Sequence, residues 1–105
     1  MKRRKSKISV PAGSRVGIAW FTREQWQRLT EIADDRNELD ETFEQWERNA
    51  LSALYTLHSQ GRSIRKVMVD VETLVAWCRG RGRRVDAAAR ADYVIALIEL
   101  ADDSA

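Results

Sequence analysis

Two short runs of alternating apolar residues lie far apart in this chain, with two helical patterns between them. In the first run Val16, Ile18 and Trp20 share one face, opposite Gly17 and Ala19; in the second, Val67, Val69 and Val71 alternate with Met68 and Asp70. Period two is the signature of a strand, and residues 64–71 read as the better of the pair. Strands separated by two helices have a connection long enough to run parallel. Two strands alone make a marginal sheet, so helices must cover it or a third strand must join. Ile8 and Val10, followed by Pro11-Ala12-Gly13-Ser14, offer that third strand as one arm of a hairpin. The small Gly17 and Ala19 leave room for a helix to approach closely on their face.

The helices are marked by their ends. Thr22-Arg23-Glu24-Gln25 is a capping box, with Thr22 accepting from the third amide and Gln25 reaching back. Trp26, Leu29, Ile32 and Ala33 follow as an apolar stripe. Asp40 is the expected cap of a second helix running to about Gln60, with Phe43, Trp46, Ala50, Leu54 and Leu57 inward and Gly61 just past its end. Asp70 caps a third helix, which places Val71, Leu74, Val75 and Cys78 inward and stops in Arg79-Gly80-Arg81-Gly82. Asp86 caps a fourth, whose stripe reads Ala87, Ala91, Val94, Ile98 and Ala101, widened by Tyr93 and Leu97. The predicted fold class is α/β (α+β), with four helices packed on a small two- or three-stranded sheet. The order is (β)-β-α-α-β-α-α, a single compact domain over residues 6–105 behind a disordered basic tail at 1–5, with no internal sequence repeat.

A chain of 105 residues with an apolar fraction of 44% can build a packed core without staples. A lone cysteine, Cys78, excludes an internal disulfide framework and fits a reducing, cytoplasmic setting. No window is apolar enough to span a membrane, and no long apolar run follows the basic start as a secretory signal requires. The net charge is only +2, but it is arranged in blocks. Residues 1–15 carry six basic groups and no acid, residues 16–60 have a net charge of −5, residues 61–90 have +5, and the last fifteen carry four acids and no Lys or Arg. Alternating blocks favour internal pairing or a polarised surface.

Chemistry is scarce. Cys78 and His58 are the one possible thiol–imidazole pair, and no third group is placed to orient a base, so both read as structural. No metal-ligand spacing occurs, and Gly80-Arg81-Gly82 lacks the rest of a phosphate loop. Catalytic residues, cofactor and metal are therefore all expected to be none. Trp20, Trp26 and Trp46 read as core. The doublet Asp34-Asp35 reads as solvated acid flanking a helix. The sharpest signal is Arg79, Arg81, Arg83 and Arg84 on a flexible turn beside Trp77, with the basic tail as a second block. Guanidiniums fork onto phosphates and an exposed tryptophan stacks on bases. The plainer alternative is a solvated turn paired with the acids of the second helix, Asp40, Glu41, Glu44 and Glu47.

The run Ile18-Ala19-Trp20-Phe21-Thr22-Arg23-Glu24-Gln25-Trp26, with Phe43-Glu44-Gln45-Trp46, Val67-Met68-Val69-Asp70-Val71-Glu72 and Ala76-Trp77-Cys78, resembles a family of small, uncharacterised bacterial proteins. The resemblance covers about residues 16–99 and leaves the basic N-terminus as an extension. It implies a bacterial, cytoplasmic, single-domain protein and supplies no functional residues. The reading that follows is a non-enzymatic accessory or interaction protein, binding a protein partner or itself and no membrane. The competing one is a nucleic-acid binder using Arg79, Arg81, Arg83, Arg84 and the tail.

Overall fold

The two alternating runs pair with each other. In the computed structural model, which describes residues 16–62 and 64–104, β1 (Val16–Trp20) and β2 (Ile64–Met68) form a parallel two-stranded sheet. Val16 stands opposite Ile64 and Trp20 opposite Met68, and the Val69 amide donates to the Trp20 carbonyl at 3.0 Å just beyond the ladder. The strand proposed at Ile8 and Val10 and the basic tail fall outside the described residues. The second run ends earlier than its alternation suggests, because Asp70 accepts from the Thr73 amide at 3.0 Å and turns Val71 into the first residue of a helix.

The elements after each strand correspond. β1 leads through two residues into α1 (Arg23–Ile32), and β2 leads through two residues into α3 (Val71–Gly80). A long helix closes each half: α2 (Phe43–Ser59) after a 3-10 turn at Arg36–Glu38, and α4 (Ala87–Ser104). The repetition is one of elements, since no sequence repeat accompanies it. The packing crosses over, with α4 lying chiefly on β1 and α2 reaching β2. Each long helix also touches its own strand, Trp46 of α2 meeting Trp20 of β1 and α4 reaching β2.

Caps set the helix starts. Thr22 accepts from the Gln25 amide at 3.1 Å, as its spacing predicts, but Gln25 does not reach back. Its side chain crosses to α3, accepting from the Val71 amide at 2.7 Å and donating to Asp70 at 3.4 Å. An orphan donor of one helix is thus satisfied from its neighbour. The second helix starts later than Asp40: Thr42 is its cap, accepting from the Gln45 amide at 3.0 Å, while Asp40 accepts from Asn49 at 3.1 Å. Gly61 and Gly82, at φ 79° and 63°, end α2 and α3. In each case the next amide, Arg62 or Arg83, bonds back to Leu57 or Cys78 at 3.2 and 2.9 Å, the Schellman arrangement that only a left-handed residue permits at low cost. Gly80 is tolerated as the last residue of α3.

One core runs through Phe21, Trp26, Leu29, Val69, Val71, Leu74, Cys78, Val85, Ala89, Tyr93, Val94 and Ile98. Tyr93, Val94 and Ile98 of α4 are inside as expected, but the inward alanine is Ala89, whereas Ala87, Ala91 and Ala101 are exposed. Trp46 makes an aromatic cluster with Trp20, Phe21 and Trp26 at ring separations of 5.2, 5.4 and 5.5 Å. On the opposite sheet face α4 sits directly on Gly17. A methyl added there would lie 2.5 Å from Ile98 Cδ1, 2.8 Å from Val94 Cγ1 and 2.9 Å from Val67 Cγ2. All three atoms belong to stiff β-branched side chains. Gly17→Ala is therefore expected to destabilise the protein by about 1–3 kcal/mol through overpacking, read as a lowered urea midpoint at unchanged slope.

Candidate functional site

The arginine turn is a built element. Its Schellman end fixes the backbone, and Arg81 places its guanidinium 4.3 Å from the centre of the Trp77 ring, with Arg83 at 5.9 Å. Trp77 is half-buried and packs edge-on against Tyr93 at 5.3 Å. Arg83 donates to Asp92 of α4 at 2.7 Å, and Arg84 leans toward the Asp34 carbonyl at 3.5 Å. The structure thus gathers Trp77, Arg81 and Arg83, sends Arg84 toward the end of α1, and leaves Arg79 exposed on the last turn of α3. The acids of α2 are not their partners; there, Glu44 takes Arg23 at 2.6 Å. The outward-facing guanidiniums of Arg79 and Arg81 remain able to meet an anion, while Arg83 is already engaged.

Beneath this turn lies a polar latch that joins the halves. Arg90 of α4 donates to both carboxylate oxygens of Asp35, at 2.9 and 2.7 Å, and the side chains retain only 13% and 9% of their exposure. Asp34 accepts from the Val85 amide at 2.7 Å, and the Asp34 amide donates back to the Val85 carbonyl at 2.9 Å. The doublet is therefore structural: Asp35 is largely withdrawn from water, while Asp34 stays exposed and holds the backbone of Val85. The hydrogen bonds from Arg90 hold the Asp35 carboxyl below the usual carboxylate range, with burial opposing.

The remaining reactive groups are committed to structure. Cys78 is fully buried, and desolvation pushes its thiol up, away from thiolate chemistry. His58 sets Nε2 3.3 Å from the Ile64 carbonyl. Among the described residues no three His, Cys, Asp or Glu gather to hold a metal ion, and no helix is long and apolar enough to cross a membrane. A cleft of about 520 Å³ opens between α1, the 3-10 turn and the start of α2, with Arg23, Arg36, Leu39, Phe43 and Glu44 in its wall. Its arginines are already occupied. Arg23 covers Phe43 at 4.8 Å while it pairs with Glu44, and Arg36 donates to the Thr30 carbonyl at 2.8 Å.

The surface that sequence reasoning missed is on α2. Alternation puts Trp20 on the sheet face opposite Gly17, so α2, whose Trp46 meets Trp20, covers the face that α4 does not. The two coverings are unequal. α4 buries Ala89, Tyr93, Val94 and Ile98, whereas along all of α2 only Ala50 is fully inside. Phe43, Trp46, Leu54 and Leu57 remain half-covered. Beside them Leu51 is 45% and Tyr55 78% exposed, and Met68, at the end of β2 on the same sheet face, is 56% exposed. The signal was present as Leu51, Leu54, Tyr55 and His58, a second i, i+3, i+4, i+7 row beside the main stripe. Isolated exposed apolar residues such as Ile95 of α4 need no explanation, but a row does.

The latch gives the site its first tests. Arg90→Ala leaves a desolvated carboxylate without its partner and is expected to cost about 3 kcal/mol at neutral pH. Because the Asp35 pKa is lowered by folding, its contribution is complete above the ordinary Asp range and is lost as pH falls through the lowered value, below about pH 4. In Asp35→Asn this part of the acid slope should vanish from chemical-denaturation curves measured across that range.

With the geometry in view, comparison with known proteins adds no family to it: no protein-family model, no curated protein and no solved structure matches this chain.

Proposed function

We propose that this chain is a non-enzymatic interaction protein that works by binding a macromolecular partner through the outer face of α2. The observation that carries this reading is the exposure of Tyr55 at 78%, one helical turn from Leu51 on the least covered helix. Tyrosine joins a large apolar ring to a polar tip and is enriched among the residues that dominate binding energy. Held in water, the Leu51–Tyr55 row and Met68 give up hydrophobic stabilisation that a docked surface would recover, at roughly 25 cal/mol per Å² removed from water. The engagement of Cys78 and His58 in packing and backbone contacts supports a binding role over a catalytic one. A reducing cytoplasm suits a chain whose single cysteine is a buried free thiol.

Nucleic-acid binding through residues 79–84 is the second reading. Exposed Arg79, and Arg81 stacked over Trp77, favour it; the Arg83–Asp92 ion pair and the acidic 16–60 block oppose it. On the α2 reading, fluorescence anisotropy with random duplex DNA should show only weak binding that near-physiological salt erases. Binding that persists at that salt and weakens in Arg79→Ala/Arg81→Ala would move the working surface to the turn.

The α2 reading is tested by a photo-reactive phenylalanine analogue placed at Tyr55, with Ile95, 52% exposed, as the control on α4. Irradiation of cells producing the full chain should give a discrete adduct from position 55 and none from position 95. Silence at 55, or equal labelling at both, would refute the α2 surface.

A further inference from the structure

We propose that the turn after α3 is a docking site for an acidic peptide segment of a protein partner, held by the guanidiniums of Arg79, Arg81 and Arg84. This goes beyond the reading of α2 as a contact surface and uses none of its residues, so either can fail without the other. The argument begins with which cations are already neutralised. Arg23 pairs with Glu44, Arg28 with Glu31 and Glu72, Arg83 with Asp92, and Arg90 with Asp35. Arg79, Arg81 and Arg84 are exposed, fall within one run of six residues, and meet no carboxylate among the described residues. Arg84 has a long contact, 3.5 Å, to the Asp34 carbonyl. All three stand in the block 61–90, whose net charge is +5.

The backbone that displays these cations is fixed. Gly82, at φ 63°, lets the Arg83 amide bond back to the Cys78 carbonyl at 2.9 Å, and the Arg83 side chain is tied to Asp92. Arg81 lies flat against structure as well, 4.3 Å from the centre of the Trp77 ring. A guanidinium stacked on an aromatic ring keeps its charge and its in-plane N–H donors, which fork onto carboxylates. The same stacking decides between kinds of anion. Arg81 and Arg83 lie over the Trp77 ring and Tyr93 packs edge-on against it, so the half-buried tryptophan is already occupied as a platform for a nucleic-acid base. A long polyanion gains little beyond the turn, because Asp92 and Asp35 neutralise Arg83 and Arg90, and Asp86 follows two residues after Arg84. A short acidic segment needs only the three uncommitted guanidiniums.

The test titrates the full chain into fluorescein-labelled hexaglutamate at low salt, read by anisotropy, with labelled hexathymidylate as a single-stranded polyanion of similar charge. Hexaglutamate should bind with a dissociation constant on the order of 100 µM and more weakly as salt rises. Replacing Arg79, Arg81 and Arg84 together by Ala should weaken it at least about tenfold. Arg81→Lys keeps the charge but loses the fork and should weaken it about threefold. Arg48→Ala, exposed on α2, should leave it unchanged. The substituted positions are exposed, so the fold should persist, as checked by circular dichroism. A second readout needs no variant: in nitrogen-edited NMR spectra the Trp77 indole N–H should shift with added peptide. The indoles of Trp20, Trp26 and Trp46 should not, since those rings lie together in the aromatic cluster. Absence of binding at low salt overturns the proposal, as does a titration that moves those three indoles and not Trp77. Binding indifferent to the triple replacement also overturns it. Hexathymidylate bound more tightly than hexaglutamate overturns it in favour of nucleic acid as the partner of the turn.

Discussion

The parallel pairing of β1 with β2 is the constraint on which every other element depends. A parallel ladder of five residues supplies few hydrogen bonds and, among the described residues, each strand has no other backbone partner. Such a sheet holds only if both faces are covered and both strand ends are fixed. The chain meets this demand by exchange. The helix that closes the second half covers the first strand, and the helix that closes the first half reaches the second strand. Gly17 is the visible mark of the exchange, because the backbone of β1 and the side chains of α4 meet where a Cβ would stand.

Polar contacts carry the same logic beyond the sheet. Gln25 ties the start of α1 to the start of α3, and Asp34 and Asp35 tie the end of α1 to the segment leading into α4 and to α4 itself. α1 is thereby held to α3 at its start and to the approach and body of α4 at its end. The arginine turn belongs to this scheme as much as to the surface. Arg83 and Arg84 point back to α4 and to Asp34, and Arg81 shields one face of Trp77.

Local features of the fold were legible from the sequence, and remote ones were not. Thr22, Asp70 and Asp86 cap as their positions imply, Gly61 ends its helix, and Gly17 admits a helix as its size suggests. These rest on the geometry of a few adjacent residues. The pairing of Arg90 with Asp35, 55 residues away, has no local trace, so the doublet looked like solvated acid. For the same reason Gln25 was assigned to its own helix. Within α4 the large residues Tyr93, Val94 and Ile98 were legible, but its alanines were not, because Ala87, Ala91 and Ala101 weigh too little to orient a helix that is alanine-rich on several sides. Only packing against Gly17 decides which side faces inward. For the candidate surface, Tyr55 and Leu51 were hidden by their neighbours: once Leu54 and Leu57 are assigned to the core, adjacent apolar residues pass as its margin. That α2 is covered less than α4 is a property of the assembled layers, which periodicity along one helix does not contain.

The exchange of helices between halves has a consequence for how the protein is made. A growing chain that has completed β1, α1 and α2 holds all four rings of the Trp20, Phe21, Trp26 and Trp46 cluster but a strand without a mate. The mate of β1 is 48 positions away, and the cover of its Gly17 face comes from α4, the last helix among the described residues. Contacts of such separation form late and slowly relative to local ones. The nascent protein therefore cannot close its sheet before β2 emerges, and the Gly17 face of β1 stays open until α4 follows.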